Sequence, residues 1–121
     1  MTTELPTPTS VRRRDRVSVI DLAGDVNARA EDSLSAAWTE ATREEPEAVV
    51  LNFEDAGYIN STGIALIVGL LARARAHAIP IRAYGLTPHY REIFEITRLA
   101  DFLAINPDEE SAVRGVERSN T

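Results

Sequence analysis

The chain has no cysteine, which excludes disulfides, thiol nucleophiles and thiolate metal sites. Histidine is scarce. Only His77 and His89 occur, and neither sits in a paired metal-ligand spacing or an HExxH motif. Long hydrophobic runs are also missing. The longest charge-free apolar stretch, Gly63–Ala72, is too short to span a bilayer. The opening "MTTELPTPTS" has no apolar core and does not read as a signal peptide. Basic charge is in the minority, 13 residues against 19 acidic ones for a net charge of −6, and this argues against nucleic acid as a partner. The local exception is "VRRRDR" at Val11–Arg16. It reads as a solvated edge strand whose positive charge discourages edge-to-edge association, with a partner contact as the other reading. A twin-arginine signal does not fit, because Asp21 and Asp25 interrupt the apolar stretch that follows. No glycine-rich phosphate loop is present, since no Lys-Ser/Thr follows Gly57 and Gly63. A triad of Ser61, His89 and an aspartate can be drawn on paper, but there is no G-x-S-x-G elbow to support it. Asp21, Asp25, Glu54 and Asp55 could converge at one end of a sheet and hold magnesium. The expectation is a cytoplasmic, non-enzymatic domain with no cofactor or metal, no nucleic-acid partner and no membrane insertion.

What is present is enough for one packed domain: 121 residues, 44% hydrophobic and 26% charged. Residues 1–9 read as a flexible tail, 10–117 as the domain and 118–121 as a loose end. Val11 to Leu22 reads as a hairpin turning at Arg14–Asp15, its second arm "RVSVIDL" alternating as a strand does, with Gly24 ending it. From Ala28 to Glu45 the period changes. Leu34, Ala37, Trp38 and Ala41 form a helical stripe, so Trp38 reads as a core anchor. "AVVLNF" at Ala48–Phe53 reads as a buried strand, followed by a linker "EDAG". A second helix runs from Ser61 to Ala78, and Ile79–Gly85 forms a further strand. Thr87 and Pro88 mark the start of a third helix with Tyr90, Ile93, Phe94 and Thr97 on its inner face. Phe102–Ile105 reads as a last strand, and Asn106–Pro107 as the start of a last helix. Strands alternating with helices imply an α/β fold. Its sheet is mixed but mostly parallel, with an N-terminal hairpin and about four helices packed against it.

The stretch "YINSTGIALI" at Tyr58–Ile67 raises a separate question. Asn60 or Ser61 is suited to cap the second helix. Ile64, Ile67, Val68 and Leu71 then form a buried stripe, and Ala65, Leu66, Gly69 and Leu70 widen it. A helix apolar on most sides is either buried on most sides or presents a docking face. The small residues Ala65, Gly69 and Ala72 would admit a partner closely.

These residues carry a likeness. "AVVLNF" followed by "EDAGYINSTGIALI", with "IDLAGDV" before and "RLADFLAI" after, resembles the STAS domain, the fold shared by anti-sigma factor antagonists and sulfate-transporter tails. The resemblance runs from about Val17 to Val113. It implies a single STAS-like domain that binds an anti-sigma factor with Ser/Thr kinase activity and is reset by a phosphatase. It also implies a phospho-acceptor at Thr62, with Ser61 as the alternative. Asn60, the cap beside the acceptor, stands where the family usually has aspartate. The implied docking surface comprises Ser61, Gly63, Ile64, Ala65, Leu66 and Gly69, on a monomer or weak dimer. The alternatives are a non-phosphorylated scaffold or docking module, and a nucleotide or small-molecule sensor using the ends of the parallel strands.

Overall fold

The computed structural model describes residues 9–115. Of the tail expected at 1–9, residues 1–8 lie outside the described residues and Thr9 belongs to the first strand, while the expected domain end at 116–117 and the loose end at 118–121 also lie outside them. That strand, β1 (Thr9–Arg14), pairs antiparallel with β2 (Val17–Val26). The connection is the two residues Asp15–Arg16, one position later than the sequence suggests. Asp15 takes the left-handed conformation (φ 56°) that a tight hairpin demands and that aspartate tolerates. A short 3-10 turn leads into α1 (Glu31–Ala41). Then follow β3 (Ala48–Ile59), α2 (Ser61–Ala76), β4 (Ile81–Tyr84), α3 (Pro88–Ile96), β5 (Ala104–Asn106) and α4 (Glu109–Arg114). The strands lie in the order β1-β2-β3-β4-β5, with every pair after the first parallel. This is the mixed, mostly parallel α/β sheet expected.

Strand alternation distributes the core over two faces. Ile20, Leu22, Val49, Leu51 and Phe53 point toward the main core, where Leu34, Trp38, Ile67, Leu71 and Phe94 also lie buried. Val17, Val19, Val50 and Tyr84 point the other way and meet Ala112 and Val113 of α4. Trp38 is a core anchor, as its stripe predicts. On α3, Phe94 is fully buried and Tyr90 and Ile93 are half-buried, but Thr97 is exposed. Thr87 caps this helix by accepting from the Tyr90 N–H at 3.2 Å. Phe102 precedes the last strand instead of opening it, and stands exposed beneath the Arg75 guanidinium. The last helix also starts later than expected. Asn106 pairs in β5 with Tyr84, so Asp108 supplies the cap, accepting from the Ser111 N–H at 2.9 Å.

The arginine run is used within the fold. Arg12 bridges two carboxylates, Asp21 at 2.6 Å and Glu109 at 3.0 Å, while Arg14 reaches Glu109 at 2.6 Å. Tyr84 donates its hydroxyl to the same Glu109 carboxylate at 2.6 Å, and Asn52 donates to Asp21 at 2.7 Å. The edge strand thereby clasps the first turn of α4 across the back of the sheet. Arg13 and Arg16 turn to Glu44 and Glu47. In Asp21, burial pushes the carboxyl up but hydrogen bonds from Arg12 and Asn52 outweigh it, leaving it below its ordinary value. Glu109, hydrogen-bonded first to Arg12 and then to Tyr84, is held down at about 2. An acid with a lowered folded-state value contributes stability above its ordinary value of 4.5 and loses it as pH falls toward 2. Glu109→Gln should therefore cost about 1–3 kcal/mol near pH 7. The gap between variant and wild type should close between roughly pH 4.5 and 2. Thermal melts across that range measure it, and a gap independent of pH would show that charge does not hold the clasp.

Among the described residues, no helix is long and apolar enough to cross a membrane.

Candidate functional site

The start of α2 is assembled by three neighbouring elements. β2 and β3 run together past the rest of the sheet. Ala23, Gly24 and Val26 pair with Asp55, Ala56 and Ile59, with register shifts between them. The segment "EDAG", expected as a linker, is thus part of β3. Its backbone hydrogen-bonds to β2, and that needs no apolar side chains. The Tyr58 N–H donates to Asp25 Oδ1 at 2.9 Å, and the Ile59 N–H donates to the Tyr90 hydroxyl at 2.9 Å, which ties the strand end to α3. Asn60 alone joins strand to helix. Its N–H donates to the Val26 carbonyl at 3.3 Å, and its Oδ1 caps the helix by accepting from the Gly63 N–H at 2.8 Å.

Gly63 faces inward, and a Cβ there would collide with the Val26 carbonyl oxygen. Of the expected docking residues, Gly63 is therefore the one the fold itself consumes. The buried stripe of α2 is Gly63, Ile67, Leu70, Leu71 and Ala74. Val68, expected inside, is 44% exposed, and Ile64 is half-buried. Ser61, Thr62, Ala65 and Gly69 are exposed, with Leu66 half-buried at the margin. Among the described residues, neither the Ser61 nor the Thr62 hydroxyl has a hydrogen-bond partner. Both lie in the first turn, where free backbone N–H groups and the positive end of the helix dipole favour added negative charge. Both hydroxyls are therefore accessible at the surface and make no contribution to the core.

Of the four acidic residues that could converge at the strand ends, two have partners within the fold. Asp21 is engaged with Arg12 and Asn52, and Asp25 holds the Tyr58 amide. Among the described residues no three His, Cys, Asp or Glu side chains converge to hold an ion. Ser61 makes no hydrogen bond to His89, whose ring instead packs edge-on against Tyr90.

The profile of the STAS domain matches residues 9–112. The chain belongs to the STAS domain family. It is 24% identical over 97 residues to the anti-sigma-B factor antagonist of Staphylococcus aureus strain NCTC 8325, covering 80% of this chain and 90% of that one. Its fold is similar to that of an anti-sigma factor antagonist from Mycobacterium paratuberculosis, with a TM-score of 0.76 and 18% identity over 96% of this chain and 98% of that one. It is also similar to the Bacillus cell fate determinant SpoIIAA in its phosphorylated form, with a TM-score of 0.69 and 22% identity over 91% of this chain and all of that one, 100%.

The cap of this STAS domain can be tested separately from any partner. Asn60→Ala removes the acceptor for the Gly63 N–H and should cost about 1 kcal/mol in urea unfolding, while Asn60→Asp should be close to neutral. A loss shared by both variants would mean that the cap is not what Asn60 contributes. Glu31 of α1 and Arg73 of α2 line a surface groove between the two helices, which the sequence does not reveal. Helical periodicity does not say which face of α1 meets α2.

Proposed function

We propose that this STAS domain is a regulatory binding protein, not an enzyme, that antagonises an anti-sigma factor with Ser/Thr kinase activity. Phosphorylation of Thr62 switches it. The observation that carries the reading is the exposed, unpartnered Thr62 hydroxyl in the first turn of α2, beside a helix face of small residues. Ser61 is the alternative acceptor. The unmodified protein binds its partner through Ser61, Ile64, Ala65, Leu66 and Gly69, and the bound anti-sigma factor releases its sigma factor. The partner then transfers the γ-phosphoryl group of ATP to the Thr62 Oγ1. The bond to ADP breaks, the hydroxyl proton leaves, and the new charge ends the complex until a phosphatase hydrolyses it. The setting is cytoplasmic, and the protein acts as a monomer or weak dimer over residues 10–117.

A second reading has its own observation. Asn60 completes the helix cap without a carboxylate, which suits a scaffold that docks through the same face and is never modified. Intact-mass and peptide mass spectrometry of the protein from its native host, in growth and in stress, separates the two. A phosphoryl group mapped to Thr62, with occupancy that varies between conditions, supports the switch. Its absence in every condition supports the scaffold.

A further inference from the structure

Between α1 and α2 runs an exposed groove of about 190 Å³. Leu34 and Leu70 are buried at its floor, and Leu66 and Gly69 form its α2 wall. Its charged residues are of opposite sign, Glu31 from the first turn of α1 and Arg73 one turn beyond Gly69. Neither makes an ion pair among the described residues, although most other arginines here do. Arg73 donates to Ser35 of α1 at 3.3 Å, which holds it at the groove instead of leaving it free in solvent. A Cβ built on Gly69 meets nothing within 4 Å, so the fold does not require glycine there. Glycine inside an exposed helix is nevertheless unfavourable. Space at Gly69, an apolar floor and two unmatched charges coincide at one place.

We infer that this groove receives a helix of the anti-sigma factor that inserts an apolar side chain over Gly69. That helix would carry a basic residue facing Glu31 and an acidic residue facing Arg73, each about one turn from the anchor. The inference rests on the proposed function and extends its docking face onto α1. Charge complementarity selects this occupant. An uncharged segment would leave both ends unmatched, and the opposed charges fix the direction in which the helix lies.

The test uses the full chain and the purified kinase-type anti-sigma factors of the native host, by titration calorimetry. Gly69→Leu fills the anchor space and should weaken binding at least a hundred-fold. Glu31→Arg and Arg73→Glu should each weaken it five- to twenty-fold. Glu92→Arg, at an exposed position of α3, serves as the control and should bind like the wild type. Thermal melts check that each variant folds, which the open space at Gly69 favours. If Thr62→Glu loses binding while the three groove variants bind like wild type, the groove is not the site and the proposed function stands. If no anti-sigma factor binds the wild type, the proposed function fails and takes this inference with it. If light scattering shows a dimer of the wild type alone that Gly69→Leu dissociates, the occupant is a second copy and the inference is overturned.

Discussion

Thr62→Glu should weaken binding of the kinase-type anti-sigma factor by roughly thirty-fold to a few thousand-fold, whereas Thr62→Ala should bind within a few-fold of wild type. A phosphoryl group adds about −1.5 to −2 charges at neutral pH, and glutamate adds one. Neither should damage the fold. The hydroxyl is exposed in the first turn of α2, where negative charge is stabilised by the helix dipole. Unfolding of Thr62→Glu should therefore match or slightly exceed wild type, within about 1 kcal/mol. The cost belongs to the complex. A partner surface laid over Thr62 must desolvate the new charge or face it with a group that once accepted the hydroxyl's hydrogen bond. An uncompensated interfacial charge costs about 2–5 kcal/mol, and glutamate should fall toward the lower end. Calorimetry with both variants decides the matter, with Ser61→Glu run alongside to separate the two hydroxyls. Equal affinities for Thr62→Ala and Thr62→Glu would retire the switch and leave only the docking face.

Much of the fold could be read from local chemistry. Thr87–Pro88 starts α3 where predicted, because a cap oxygen and a proline at the first helical position are both determined within one turn. Val17–Leu22 of "RVSVIDL" begin β2 as expected, with Ile20 and Leu22 in one core cluster and Val17 and Val19 in the other, but the strand continues past Gly24 to Val26 through pairing with β3. The misreadings share a physical cause. Glu54–Ile59 remain in β3 through backbone pairing with β2, which leaves no mark on side-chain polarity. Asn106 and Asp108 are both plausible caps. Pairing with Tyr84 in β5 takes the first and leaves the second to start α4. The rotation of α2 was misjudged because a helix apolar nearly all round has no clear inner face. Contact between Gly63 and the Val26 carbonyl, made across the fold, sets it and turns Val68 outward. The Arg12–Glu109 clasp joins residues 97 positions apart and has no local signature at all. The candidate site divides in the same way. Asn60, Ser61 and Thr62 are adjacent in sequence and were legible, while the α1 wall of the groove was not.

The two glycines of α2 should respond to the same substitution with opposite signs. Gly63→Ala should destabilise the domain by about 2–4 kcal/mol. The new methyl falls on the Val26 carbonyl oxygen, and the carbonyl carbon lies 2.8 Å from the same position. That carbonyl is the end of β2 and already accepts from Asn60, so neither side can yield cheaply. Relief requires the start of α2 to lift away, which loosens the cap and moves Thr62 with it. Gly69→Ala meets nothing within 4 Å and replaces glycine with the best helix former. It should stabilise the domain by about 0.5–1 kcal/mol. Urea unfolding of both variants measures the pair, with the midpoint moving down for one and up for the other. An unchanged midpoint for Gly63→Ala would mean that α2 can slide on β2, and the position of the Thr62 hydroxyl would then not be fixed by the fold. A drop for Gly69→Ala would mean that the helix itself needs the glycine. The contrast separates two reasons for the same residue type. Gly63 is required by packing within the domain. Gly69 meets nothing within the domain, so packing does not require it, and the docking proposed at this face is the role left for it to be tested against.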